Sequence, residues 1–146
     1  MVIGTHNIHK LIELIEKRNS KKDHYMEADM SLPAFHDMPV KRFQNFFAWI
    51  PIMNGCNKFC TYCIVPYVRG REVSRPIEAI VEEIKKVAAE GYKEITLLGQ
   101  NVNSYGLDLK DGTDFSKLVQ AVDDIDGIER VRYMTSHPKD LSLIHI

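Results

Sequence analysis

The chain has 146 residues, 45% hydrophobic and 27% charged, with nineteen Lys and Arg against twenty Asp and Glu for a net charge of −1. That is the balance of a globular chain, one domain or part of a larger one, and it excludes a disordered segment or a disulfide-stapled miniprotein. No apolar run approaches the ~20 residues that span a bilayer, and MVIGTHNIHK lacks the features of a signal peptide, so the chain reads as cytoplasmic and free of membranes.

Residues 1–18 read as a strand end, a turn and an amphipathic helix, with Ile8, Leu11, Ile12 and Ile15 at helical spacing. Residues 19–45 show no sustained periodicity and contain two prolines, as a linker does. FFAWIPIM, from Phe46, suits a buried strand with Trp49 in the core, running into an Asn54-Gly55 turn. After the cysteine-bearing loop and PYVRGREVS, a helix begins near Pro76 with Ser74 as its cap. Ile77, Ile80, Val81, Ile84 and Val87 share one face, and Gly91 ends it. EITLL (94–98) is a second strand, ending in GQNVNSYG. Asp114 or Thr113 caps a further helix with Phe115, Leu118, Val119 and Val122 inside. ERVRYM (129–134) is a third strand, ending in TSHP.

Strands alternating with helices predict an α/β fold with a parallel sheet and right-handed crossovers. The polar stretches that follow the three strands would then meet at the carboxyl edge of the sheet, where α/β barrels place their active sites.

The only three cysteines, Cys56, Cys60 and Cys63, form C-x-x-x-C-x-x-C within eight residues. An odd count argues against a disulfide framework, and thiolates ligate soft metals. A structural zinc site wants four protein ligands, usually from separated pairs. One of the six histidines could complete a Cys3His zinc site, although none lies in the loop. The pattern favours an iron–sulfur cubane, whose fourth iron stays open for a ligand. Charge gathers here too: residues 56–75 carry a net +3, whereas residues 76–146 carry −5.

The spacing, with the aromatic Tyr62 directly before the third cysteine, resembles the radical S-adenosylmethionine superfamily. GTHNIHKL, MNGCNKFCTYCIVPYVRGREVSRP, EITLLGQNVNSYG and YMTSHPKDL resemble the tRNA methylthiotransferases within it. GTHNIHKL favours the branch that acts on N6-isopentenyladenosine over the ribosomal-protein and threonylcarbamoyl-adenosine branches, which stay as alternatives. A zinc-stabilised nucleic-acid-binding module is the alternative from another class.

The resemblance implies a partial (β/α) barrel of about three strand–helix units over residues 46–142, first half of the radical SAM core. Residues 1–18 would end an N-terminal methylthiotransferase domain, with 19–45 the linker and 143–146 a non-native tail on a truncated fragment. It further implies that Cys56, Cys60 and Cys63 hold a [4Fe–4S] cluster whose open iron chelates S-adenosylmethionine. An auxiliary [4Fe–4S] cluster, whose ligands this chain lacks, would supply sulfur. A flavodoxin- or ferredoxin-type protein would donate the electron, and a monomeric enzyme would add a methylthio group to adenine C2 of a tRNA.

By the same resemblance Tyr62 packs near the cofactor adenine, or else in the core. Gln100 and Asn101 contact the methionine amino group, or else close a polar loop. Ser136 and His137 reach the ribose or carboxylate, or else form a solvated turn. Arg69, Arg71 and Arg75 meet tRNA phosphate or the cofactor carboxylate, or else form a solvated basic loop. Lys58, inside the motif, is expected to be dispensable for iron content.

Overall fold

The computed structural model describes residues 1–21, 24–28, 40–42 and 46–141. Its centre is a three-stranded parallel sheet in the order β3–β6–β7: β3 (Phe47–Pro51), β6 (Glu94–Leu98) and β7 (Arg130–Tyr133). Phe47 pairs with Glu94 and Pro51 with Leu98, while Glu94 pairs with Arg130 and Leu97 with Tyr133. Helices α3 (Ile77–Ala89) and α4 (Phe115–Asp123) make the crossovers expected of parallel neighbours. The α/β reading holds, with strands and helices in the expected order.

Side chains alternate across a strand. Ala48, Ile50, Ile95 and Leu97 therefore face one way, and they pack in one core with Ile80, Ile84 and Val87 of α3 and Leu118 and Val122 of α4. Burying each of these large aliphatic side chains contributes about 1.5–3 kcal/mol before entropy is counted. Trp49 has the opposite phase and is 62% exposed, beside Phe47 at 5.9 Å between ring centroids. This corrects its assignment to the core. On that same face, Glu94 holds both Arg130 (3.0 Å) and Arg132 (2.8 Å).

The caps divide between expectation and correction. Asp114 caps α4 by accepting from the Lys117 N–H at 2.8 Å, as its sequence position suggests. Gly91 ends α3 at φ 93°, a conformation that a Cβ disfavours. Ser74 does not cap α3: Pro76 occupies the N-cap, and the Ser74 hydroxyl accepts from the Gly106 N–H at 3.0 Å.

One helix end and four short elements depart from the sequence reading. Within the expected linker, α1 (Leu11–Lys21) runs beyond residue 18, and β2 (Met26–Glu27) pairs in parallel with β1 (Val2–Ile3). After β3, β4 (Met53–Asn54) pairs antiparallel with β5 (Val73–Ser74), and α2 (Val65–Arg69) lies between them. Two-residue strands are too brief to show any period, so only pairing reveals them. In the first helical segment Ile8, Ile12 and Ile15 are exposed while Leu14 and Asn7 are buried, so the apolar stripe expected to pack lies outward. Residues 22–23, 29–39 and 43–45 of the linker and the expected tail at 143–146 lie outside the described residues.

Candidate cofactor site

Because β3, β6 and β7 are parallel, the segments leaving their carboxyl ends share one edge of the sheet. The first is the cysteine loop, carried by the β4–β5 ladder. Gly55 turns the chain into it at φ 71°, and a Cβ there would lie 2.0 Å from the Arg71 carbonyl oxygen. The Cys56 N–H donates to the Gly70 carbonyl at 3.1 Å. Asn57 and Glu72 clasp the base of the loop. The Asn57 N–H and Nδ2 donate to the Glu72 carboxylate (3.1 and 3.2 Å), and the Glu72 N–H returns a bond to Asn57 Oδ1 (3.3 Å).

All three cysteines are free thiols: Cys56 buried, Cys63 half-buried and Cys60 exposed. Burial pushes the Cys56 thiol above its ordinary value, against the Lys58 N–H that donates to its sulfur at 3.4 Å. Among the described residues no three His, Cys, Asp or Glu side chains are gathered closely enough to hold a metal ion. The fit to an iron–sulfur cluster therefore rests on the donor chemistry. Three soft thiols stand on one irregular loop, one of them exposed and one half-buried.

The other two segments are stitched to each other and to this loop. Asn101 is 1% exposed, and its Oδ1 accepts from the His137 N–H at 3.1 Å. Its Nδ2 donates to Asp140 at 2.6 Å. Thr135 sits in the left-handed region at φ 63°, where its hydroxyl donates to the Gly99 carbonyl. Its own carbonyl accepts from the Val102 N–H at 3.0 Å. Lys58 then reaches from the cysteine loop to both oxygens of Asp140, at 2.9 and 2.8 Å. Burial alone would raise the Asp140 carboxyl, but the bonds from Lys58 and Asn101 outweigh it and hold the group below its usual range.

The expected site residues fall into groups. Tyr62 is 95% exposed beside Cys63, so it is no core aromatic. Gln100 and Ser136 are exposed at the loop edge, and His137 is half-buried. Arg69 is exposed on α2, and Arg71 lies over the Phe59 ring at 5.0 Å. Phe59 in turn meets Tyr67 edge-on at 5.6 Å.

Arg75 departs from its reading as a phosphate contact: it is 8% exposed. Its guanidinium pairs with Glu83 at 2.8 Å and donates to the Pro51 carbonyl at 2.7 Å. Those bonds fasten α3 to the end of β3 and turn the charge inward.

Sequence reasoning overlooked Asp140, whose partners lie 82 and 39 positions away. It also overlooked Asn103, 8% exposed, with neither amide atom hydrogen-bonded among the described residues.

The family model of the radical SAM superfamily matches residues 50–144, from β3 through all three loops. The chain belongs to the radical SAM superfamily.

Membership brings a [4Fe–4S] cluster and S-adenosylmethionine as cofactors. Among curated relatives, the chain is 53% identical over 148 residues to a tRNA-2-methylthio-N(6)-dimethylallyladenosine synthase of Pelotomaculum thermopropionicum, covering 98% of this chain and 32% of the relative. It is 54% identical to the protein of that name from Desulforamulus reducens, covering 96% and 31%. It is 53% identical to the one from Clostridium botulinum strain Okra, covering 97% and 32%. The chain thus spans about a third of the length of the curated relatives it matches. Among the described residues no helix is long and apolar enough to cross a membrane.

Proposed function

We propose that this chain is the cofactor-binding part of a radical SAM methylthiotransferase that adds a methylthio group to C2 of N6-isopentenyladenosine in tRNA. The observation that carries the reading is identity above 50% across nearly the whole chain to synthases of that name, with the three thiols on the loop that follows the first strand of the central parallel sheet.

Cys56, Cys60 and Cys63 would hold three irons of the cluster. Bound there, the cluster and S-adenosylmethionine supply one-electron cleavage and hence radical initiation. The chain's own residues do the positioning. Gly55 and the Asn57–Glu72 clasp set where the loop starts, and Asn101 fixes the loop after β7 relative to the loop after β6. Tyr62, Gln100 and Ser136, all exposed, would contact the cofactor, and the exposed Arg69 and Arg71 would contact tRNA phosphate. The central sheet is read as part of a (β/α) barrel, and residues 1–18 as the end of a preceding domain. The electron would come from a flavodoxin- or ferredoxin-type donor to a monomeric, cytoplasmic enzyme.

The test is anaerobic reconstitution with iron and sulfide of the full-length protein, followed by mass spectrometry of digested tRNA. Four irons per site, lost in Cys56→Ala, Cys60→Ala and Cys63→Ala alike, are expected because three ligands leave no redundancy. Methylthio-adenosine should form only in the intact protein. Uptake of a single zinc, or normal iron content in any one cysteine variant, would overturn the reading.

A further inference from the structure

The geometry points to a latch, Lys58–Asp140–Asn101, that positions the cysteine loop from the far side of the sheet edge. It rests on the reading of the three cysteines as cluster ligands and goes beyond it by naming what holds them in place. Lys58 stands between Cys56 and Cys60, and two of its groups act in different directions. Its N–H donates to the Cys56 sulfur (3.4 Å), while its ammonium is held by both oxygens of Asp140. Asp140 is itself fixed by Asn101, whose other amide atom holds the His137 backbone. One carboxylate therefore joins the segments leaving β3, β6 and β7.

The partners are mostly buried, at 22% and 19% side-chain exposure for Lys58 and Asp140, so solvent screens the pair less than a surface bridge. Hydrogen bonds to ligand sulfur, and the outer partners that orient them, tune how tightly a metal site is held. Asp140 and Asn101 are positioning residues here. They act on the cluster ligands only through Lys58 and the loop backbone.

The experiment follows release of iron to excess ferrous chelator from the reconstituted full-length protein under anaerobic conditions. Lys58→Met and Asp140→Asn are each expected to bind the wild-type amount of iron and release it roughly tenfold faster. The two substitutions remove opposite charges, so a purely electrostatic effect on an anionic cluster would move the rates in opposite directions. A latch moves them the same way. The double variant should release no faster than either single, and Lys58→Arg should stay near wild type. Ile84→Val, which loosens the core without touching a loop, should release iron at the wild-type rate. Opposite or absent shifts in the singles, additive acceleration in the double, or equal acceleration by Ile84→Val overturns the latch. Iron content that stays at the unsubstituted level in Cys56→Ala, Cys60→Ala and Cys63→Ala instead overturns the cysteine reading on which the latch rests.

Discussion

Arg75 shows how burial decides what a charged side chain can do. Its guanidinium shares Glu83 with Arg42, at 2.8 and 3.1 Å, and donates to the Pro51 carbonyl, so removing it takes one of two cations from a half-buried carboxylate and a donor from a backbone acceptor. Breaking such a pair costs roughly 2–4 kcal/mol, discounted from fully buried cases because Arg42 still faces Glu83. Arg75→Met is therefore expected to lower the urea midpoint of the full-length protein markedly. Arg71→Met, on the exposed loop, should change the unfolding free energy by roughly 0.5 kcal/mol or less. In tRNA binding the order should reverse, with Arg71→Met weakening affinity and Arg75→Met acting only through stability. The loop's positive charge was legible in the sequence. Which of its arginines faces solvent was not, because spacing alone does not say where a turn aims a side chain.

At the scale of the element, the β4–β5 ladder sets the entrance to the cysteine loop, and Gly55 is its tightest point. A Cβ 2.0 Å from the Arg71 carbonyl cannot be absorbed by a flexible side chain, since the obstacle is backbone. Gly55→Ala is expected to splay the ladder and lower iron retention on gel filtration, even though every cysteine remains. Helix α4 offers a milder contrast. Asp114→Ala removes one cap bond and should cost about 1 kcal/mol by denaturant titration, leaving iron content unchanged. Helices α3 and α4 were readable because each spans enough turns for its apolar period to show. The paired strands β4 and β5, and the five-residue α2, are too short for any period.

Across the whole molecule, the loop after β6 is anchored by Tyr105. Fully buried, it donates through its hydroxyl to the Arg75 carbonyl at 2.6 Å. Burial, with Glu78 nearby, pushes the phenol far above its ordinary value of 10.0. In the unfolded chain the group ionises near pH 10, whereas the folded protein keeps its proton. The unfolded state then binds fewer protons, and stability falls as pH rises, by about 1.4 kcal/mol per unit. Tyr105→Phe lacks this decline. Its deficit of about 1 kcal/mol at neutral pH should shrink and then invert above pH 10, as read by urea unfolding across alkaline buffers.

The sequence by itself determined the alternation of strand and helix, the caps at Asp114 and Gly91, and the three thiols on one loop. Each is local: a hydrophobic period, a cap or a ligand spacing is complete within a dozen residues. Only the tertiary structure decided that Trp49 faces away from the core, that Arg75 turns inward and that Asp140 holds Lys58. Those outcomes depend on which side of a strand is covered by helices and on which loops a parallel register brings to the same edge. A contact across 82 positions leaves no mark on the residues between.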